Sequence, residues 1–142
     1  MTDRILVGLD DSEPAAKALE FALSTFPAGE VIALHVIEPF RFRELGGGYE
    51  WLNSPEAFER ARERAERLFR DARERTTHLG ATFETAVATG RPHRAIVDYA
   101  TDHDVDHVVV GSHGRTGASR VLLGSVAERV VRRSPAPVTV VR

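Results

Sequence analysis

Short apolar runs alternate along this chain with segments whose apolar residues recur at helical spacing. Four of the runs are nearly continuous, as expected for strands that are covered on both faces of a sheet. A fifth segment alternates weakly between apolar and polar positions and is also predicted to be a strand. In chain order the five predicted strands are Ile5–Leu9, Val31–Ile37, Thr82–Ala88, Val105–Val110 and Val138–Val141.

Four helices are predicted between these strands. Ser12 is a good N-cap for the first, whose apolar face comprises Ala15, Ala18, Leu19, Ala22, Leu23 and Phe26. The second runs from Ser54-Pro55 to about His78, with a predicted buried stripe of Ala57, Ala61, Ala65, Leu68 and Ala72. The third opens at Gly90-Arg91-Pro92 and runs to about His103, with Ile96, Val97 and Ala100 facing inward. The fourth spans Ser125 to Arg133.

The alternation of strands and helices predicts an α/β fold. We expect residues 1–142 to form a single domain with an open, mostly parallel five-stranded sheet and four helices on both of its faces. The expected arrangement is Rossmann-like, with strand order 3-2-1-4-5. Residues 38–53 show no periodicity and contain Gly46-Gly47-Gly48, so we predict an irregular segment that is either functional or mobile.

Composition narrows the classes of function. The formal net charge of −2 gives no basic field that would recruit nucleic acid. The absence of cysteine excludes disulfides, thiolate metal sites and a cysteine nucleophile. The first predicted strand starts at Arg4, which leaves no room for a signal peptide, and no apolar run is long enough to span a bilayer. We therefore expect a cytoplasmic protein with neither nucleic acid nor membrane as a partner.

The most informative segment is rich in glycine and runs from Gly111 to Ser125, between the fourth strand and the fourth helix. Glycine allows close approach of the backbone to a ligand, and the free amides of a helix start favour an anion. A helix that starts afresh at Gly124-Ser125 would direct the amides of Ser125, Val126 and Ala127 at a phosphate. Ser125 and Thr116 would add hydroxyl donors, and Arg115 would add a guanidinium. The alternative is a plain strand–helix loop in which the glycines serve turns.

Other polar residues fall at strand ends. Asp10 follows the first strand and is predicted to bind a ribose hydroxyl or a metal-bound phosphate; the alternative is a turn aspartate that caps the first helix. His35 lies within an apolar strand and is predicted to be a satisfied core histidine. A solvated turn, and not a metal site, is predicted for the cluster formed by His103, Asp104, Asp106 and His107, which lies at the opposite end of its strand from His113.

These motifs together resemble the universal stress protein family. The resemblance covers the whole chain and rests on Ile5 to Ser12, Leu34-His35-Val36, Gly90-Arg91-Pro92, Gly111 to Gly114 with Gly124-Ser125-Val126, and Pro137 to Val141. The spacing of the glycines is that of the branch of the family that binds ATP. The resemblance implies that Val36 contacts adenine through its backbone and that Gly8 and Asp10 line the adenosine. It further implies that the ribose and phosphates are wrapped by Gly111, Ser112, His113, Gly114, Arg115, Thr116, Gly117, Gly124, Ser125, Val126 and Ala127.

The resemblance also implies a homodimer, formed by pairing of the last strand, Val138, Thr139, Val140 and Val141, with its copy. We expect an ATP-binding stress-response regulatory protein with slow or no hydrolysis, because a phosphate cradle is predicted without an evident catalytic base. ATP, ADP or AMP would bind, with Mg²⁺ held mainly by the phosphates and by no metal ligand of the protein itself. Two alternatives stay open: an ATPase or nucleotide-alpha hydrolase, and a nucleotide-independent interaction module.

Overall fold

The fold is built on a five-stranded parallel sheet, seen in a computed structural model that describes residues 2–42, 49–51, 54–113 and 123–142. The elements in chain order are β1 (Arg4–Gly8), α1 (Glu13–Thr25), β2 (Glu30–Ile37), β3 (Phe40–Phe42), β4 (Tyr49–Trp51), α2 (Pro55–Thr76), a 3₁₀ turn (Thr77–Leu79), β5 (Glu84–Thr89), α3 (Pro92–Asp102), β6 (His107–Gly111), α4 (Ser125–Arg133) and β7 (Val138–Val141).

The main sheet has the order β5-β2-β1-β6-β7, which confirms the predicted order 3-2-1-4-5 of its five strands. All four strand pairs are parallel. The chain winds outward from β1 through β2 to β5, then crosses to the other side of β1 to form β6 and β7. The strand order therefore reverses between β1 and β6, and ligands of such sheets bind outside the carboxyl ends of the strands at that point.

Two apolar clusters cover the two faces of the sheet. On one face, Ile5 and Val7 of β1 pack with Leu19 of α1 and Phe69 of α2. On the other face, Leu6 of β1 packs with residues of α3 and α4 such as Ile96 and Val130. The side chains of Ile5, Leu6 and Val7 are fully buried, as the continuous apolar run predicts for a central strand.

The predicted buried positions need two corrections in the helices. Phe69 is buried in α2, whereas Leu68 and Ala72 are only partly buried. In α3 the polar His93 is buried while Val97 is partly exposed. Burial lowers the pKa of His93, and the neighbouring guanidinium of Arg129 lowers it further. Each helix therefore buries one ring, Phe69 in α2 and His93 in α3, that the predicted inward face does not include.

The prediction of an irregular segment over residues 38–53 is wrong for residues 40–42 and 49–51, which are strands, while residues 43–48 and 52–53 lie outside the described residues. Within it, β3 and β4 form an antiparallel pair with Phe40 opposite Trp51 and Phe42 opposite Tyr49. The predicted third strand also starts later than expected, because β5 begins at Glu84. The aromatic residues on both sides of the glycine run account for this extra pair of strands, since aromatic residues are enriched in strands.

Candidate functional site

A cleft of about 270 Å³ opens at the carboxyl ends of the central strands, where the strand order reverses. Many of the predicted site residues lie together in its wall: Gly8, Asp10, Val36, Gly111, His113, Gly124, Ser125, Val126 and Ala127. Ser112 is not part of the wall. The predicted site residues Gly114, Arg115, Thr116 and Gly117 lie outside the described residues.

The start of α4 forms one side of the cleft. Gly124 is its N-cap, and the first intrahelical hydrogen bond runs from the amide of Glu128 to the Gly124 carbonyl. The amides of Ser125, Val126 and Ala127 therefore have no acceptor within the helix. Gly124 has no side chain to cap them. This end of α4 consequently offers amide donors and the positive end of a helix dipole to an anion in the cleft.

Gly124 also brings this helix start close to β6. Its amide donates to the carbonyl of Ser112 at 2.6 Å, and a Cβ at Gly124 would lie 3.0 Å from that oxygen and from His113 Cα. The expectation that a helix starts afresh at Gly124-Ser125 is confirmed by α4.

Gly111 is a packing glycine at the end of β6. A Cβ at this position would lie 2.8 Å from backbone atoms of Pro14 and Ala15 in the first turn of α1. The next amide, that of Ser112, donates to the Val141 carbonyl and so completes the pairing of β6 with β7. The Ser112 side chain is buried, with its hydroxyl 3.2 Å from Nδ1 of His113. These contacts hold the end of β6 against the first turn of α1 and against β7.

Asp10 lies on the side of the cleft contributed by β1. Its Oδ1 accepts a hydrogen bond of 2.8 Å from the amide of Ser12, and the Ser12 hydroxyl accepts from the amide of Ala15 to cap α1. The alternative prediction of a turn aspartate therefore describes one of the two carboxylate oxygens. The second oxygen has no hydrogen-bond donor among the described residues, so both predicted roles can be filled by the same side chain.

Sequence reasoning missed several residues of the cleft wall, namely Ser12, Ala15, Leu34, His35, Glu38, Pro92, Ile96 and Val110. Their signal was positional: most follow or end a strand beside the point of reversal, or begin a helix there. Ile96 and Val110 add an apolar surface beside Val36. Glu38 also lines the cleft and adds a second carboxylate to that of Asp10.

The prediction that His35 is a core histidine is only partly correct, because the residue lies in β2 but is half-buried. Its Nδ1 lies 2.9 Å from the Leu9 carbonyl oxygen. The ring thereby bridges the ends of β1 and β2 while forming part of the cleft wall.

The histidine and aspartate cluster around β6 is occupied with structural contacts. Asp106 Oδ2 accepts from the Arg4 amide, and His107 Nε2 lies 2.7 Å from the Thr139 hydroxyl. His103 stacks on Tyr99 with 3.8 Å between ring centroids. Within residues 2–42, 49–51, 54–113 and 123–142, no three such side chains are grouped as metal ligands. No helix in the same ranges is long and apolar enough to cross a membrane.

An ion-pair cluster anchors the first turn of α1, next to the Asp10 turn. The Arg75 guanidinium of α2 donates two hydrogen bonds to the Glu13 carboxylate and one to Glu20. The hydrogen bond from Arg75 lowers the pKa of Glu13. The folded state therefore binds fewer protons at Glu13 than the unfolded chain does, and the stabilisation is present at neutral pH.

We expect Arg75→Gln to lower the melting temperature at neutral pH and low salt. The difference from the unmodified chain should shrink as the pH falls through the lowered pKa of Glu13, because protonation removes the carboxylate in both proteins. Added salt should shrink it too, since both partners are partly exposed. Thermal unfolding from pH 7 down to about pH 3 measures this; a difference that grows on acidification would contradict it.

The strand order, and the cleft at the point where that order reverses, define a doubly wound α/β protein. Its ligand crevice lies at the carboxyl ends of the strands. The family model described as the Universal stress protein family matches residues 1–142. The chain belongs to the universal stress protein family.

Three similar proteins illustrate this membership. Universal stress protein MJ0577 of Methanocaldococcus jannaschii is 36% identical over 155 residues, covering 100% of this chain and 96% of the relative. Its solved structure gives a TM-score of 0.75 at 35% identity, covering 99% of this chain and 96% of that one. The structure of UspA from Lactobacillus plantarum gives a TM-score of 0.79 at 26% identity, covering 99% of this chain and 97% of that one. The structure of a universal stress protein in complex with cAMP gives a TM-score of 0.67 at 25% identity, covering 99% of this chain and 96% of that one.

Proposed function

We propose that residues 1–142 form a single nucleotide-binding domain that binds ATP, or ADP or AMP, in the cleft between β1 and β6. The observation that carries the proposal is the start of α4, where three amides without intrahelical acceptors face a cleft. A similar chain is known in complex with cAMP, which is also an adenine nucleotide. The protein would act as a stress-response regulator whose state depends on the bound nucleotide.

The chemistry of the walls favours one orientation of the nucleotide. The apolar surface of Val36, Ile96 and Val110 suits a base, and the amides of α4 suit phosphates. Asp10 repels phosphate and accepts hydrogen bonds from hydroxyls, which suits the ribose. Mg²⁺ would be held mainly by the phosphates. The Ser112 hydroxyl lies 3.2 Å from Nδ1 of His113, but Ser112 is buried and is not part of the cleft wall. The described part of the cleft therefore presents no nucleophile and base to the ligand together, and we propose slow or no hydrolysis.

Isothermal titration of the purified chain with ATP, in the presence of Mg²⁺, tests this function. We expect saturable binding of one nucleotide per chain, weaker binding of AMP, and still weaker binding of adenosine, because each phosphate lost removes contacts with α4. No detectable heat with any of the three would refute nucleotide binding and favour the interaction module. Rapid release of phosphate from ATP, with an activity that stays with the chain through purification, would favour the ATPase alternative.

We also propose that the protein is a homodimer paired through β7. This strand is at the edge of the sheet, and Val138 to Val141 are all partly exposed. The carbonyls of Pro137 and Val141 accept from β6, so alternation directs the backbone groups of Val138 and Val140 away from the sheet. An apolar edge with unpaired backbone groups invites another strand.

Val140→Pro is expected to convert the dimer to a monomer, because proline removes an outward amide while the pairing of β7 with β6 is kept. Val87→Pro is the matched control at the opposite edge. The amide of Gly90 donates to β2, so alternation directs the Val87 amide outward, and its side chain is exposed. Sedimentation of both variants gives the mass. A dimer that survives Val140→Pro, or dissociates with Val87→Pro, would argue against pairing through β7.

A further inference from the structure

Four exposed arginines form a cluster where α3 packs against α4. Arg91 is the N-cap of α3 and Arg94 lies in its first turn, while Arg129 and Arg133 are one turn apart on α4. Residues three or four apart in the sequence lie on the same side of a helix. Each helix therefore contributes a pair of guanidinium groups, and we call these four residues the arginine cluster.

The buried ring of His93 shows that the charges of the cluster act on one place. His93 is 7% exposed and lies in the sequence between the two cluster residues of α3. Its pKa is lowered first by burial and then by all four guanidinium groups of the cluster. Among the residues that the structure describes, no carboxylate raises this pKa. The described part of the chain therefore leaves the positive charge of the cluster unbalanced.

The ion pairs of the protein lead to the same conclusion. The neighbouring side chain of Arg132 pairs with Glu128 at 2.9 Å and is thereby neutralised. Asp98 lies one turn beyond Arg94 on α3 but forms no ion pair with it. Within residues 2–42, 49–51, 54–113 and 123–142, no carboxylate pairs with any arginine of the cluster. The four guanidinium groups are therefore available to an anionic partner.

The two arginines of α3 also oppose the preferences of the helix that carries them. The N-terminal end of a helix carries partial positive charge, so acidic residues stabilise it and basic residues do not. The first turn of α3 has no acidic residue, and Arg91 forms no side-chain cap. Like charges three or four residues apart destabilise a helix further. The cluster thus lowers the stability of the free protein, and a bound anion would offset that cost.

The size and the borders of the cluster favour a short acidic peptide over an extended polyanion. Packed helices are about 8–10 Å apart and one helical turn rises about 5.4 Å, so the cluster matches one or two turns of peptide. Carboxylates border it on both helices, at Asp98 and at Glu128. They would repel the phosphates of a nucleic acid or a lipid surface that extended past the cluster. Guanidinium groups bind carboxylates through paired hydrogen bonds.

We propose that the arginine cluster is a docking surface for an acidic segment of a partner protein, whose glutamate or aspartate carboxylates bind the four guanidinium groups. The surface is separate from the nucleotide cleft, because none of the four arginines lines that cleft. It is nevertheless carried by the same two helices, which line the cleft with Pro92 and Ser125. The proposal does not depend on nucleotide binding.

Fluorescence anisotropy with a labelled hexaglutamate peptide, at low salt, tests the docking surface in the full chain. We expect saturable binding that weakens about tenfold in the double variant Arg94→Gln and Arg129→Gln, as the loss of two exposed ion pairs implies. The matched control is Arg60→Gln with Arg64→Gln, which removes the same charge from the exposed side of α2. It should change the affinity less than about twofold, because salt screens distant charges.

Three results would overturn the proposal. The first is no binding of hexaglutamate, or an equal loss of affinity in the two double variants, which would reduce the effect to net charge. The second is a parallel loss of ATP affinity in the variant of Arg94 and Arg129, which would place the peptide in the cleft. The third is tighter binding of a uridine hexanucleotide, or of vesicles of phosphatidylcholine and phosphatidylserine, than of hexaglutamate.

Proton NMR of the His93 ring gives a second readout, which charges far from the cluster do not affect. Bound carboxylates offset the arginine charges, so saturating hexaglutamate is expected to raise the pKa of His93 toward the ordinary histidine value of about 6.5. Arg129→Gln should also raise it, because the Arg129 charge lowers this pKa in the unmodified chain. A His93 pKa that stays unchanged with the peptide bound would contradict docking at the cluster.

Discussion

Gly111→Ala is expected to lower the free energy of unfolding by about 3 kcal/mol, as overpacking of a closely packed site does. The added Cβ would lie 2.8 Å from backbone atoms of Pro14 and Ala15, and backbone cannot rotate aside as a side chain can. For a chain of this size the melting temperature should fall by about 10 °C. Thermal and urea unfolding measure both quantities.

Gly8→Ala is the matched control for this substitution. Here the new Cβ would lie 3.1 Å from Cδ1 of Ile96, the far end of a flexible side chain that can move. We expect a loss below about 1 kcal/mol, because the cost of a small overpacking depends on how readily the neighbour yields. Equal losses for the two variants would show that the approach of β6 to α1 is not the constraint described.

Gly124→Val is expected to weaken ATP binding about tenfold to 100-fold, which corresponds to the loss of charge-assisted hydrogen bonds. Its Cβ would lie 3.0 Å from the Ser112 carbonyl oxygen and His113 Cα, so the start of α4 must shift away from β6. The three amides then no longer face the same point. Adenosine has no phosphate and should lose less affinity than ATP. Calorimetry with both ligands measures the difference.

Ser125→Ala provides the control for that prediction. It removes one hydroxyl at the start of α4 and leaves the amides of Ser125 to Ala127 in place. We expect a loss of ATP affinity of less than about fivefold, the worth of a single neutral hydrogen bond. If Ser125→Ala were as damaging as Gly124→Val, the hydroxyl and not the backbone would be the main phosphate contact.

The sheet could be predicted because a continuous apolar run indicates a strand that is buried on both faces of a sheet. Ile5-Leu6-Val7 and Val108-Val109-Val110 are continuous apolar runs, and both lie in the centre of the sheet with almost no exposure. The restart of a helix at Gly124 was predictable because a glycine there is unfavourable inside a helix and favourable before one. Once the strand order was set, the convergence of Asp10, Val36 and Gly124 on one cleft followed from the topology.

The missed features depend on contacts between segments that are distant in the chain. β3 and β4 pair with each other although they are separated in the sequence by glycines and charged residues, which hide any apolar periodicity. The burial of His93 depends on α4 packing against α3, and the sequence of α3 alone gives the inward position to Val97. Likewise, the tautomer of His35 follows from the carbonyl of Leu9, the residue that follows β1.

The central claim is that the start of α4 binds the phosphates of an adenine nucleotide, and backbone amide NMR tests it most directly. Spectra recorded with ATP and with adenosine separate the effect of the phosphates from that of the nucleoside. We predict that ATP shifts the amide resonances of Ser125, Val126 and Ala127 strongly and that adenosine shifts them little. The claim would be contradicted if ATP binds but shifts the resonances of these three amides no more than adenosine does.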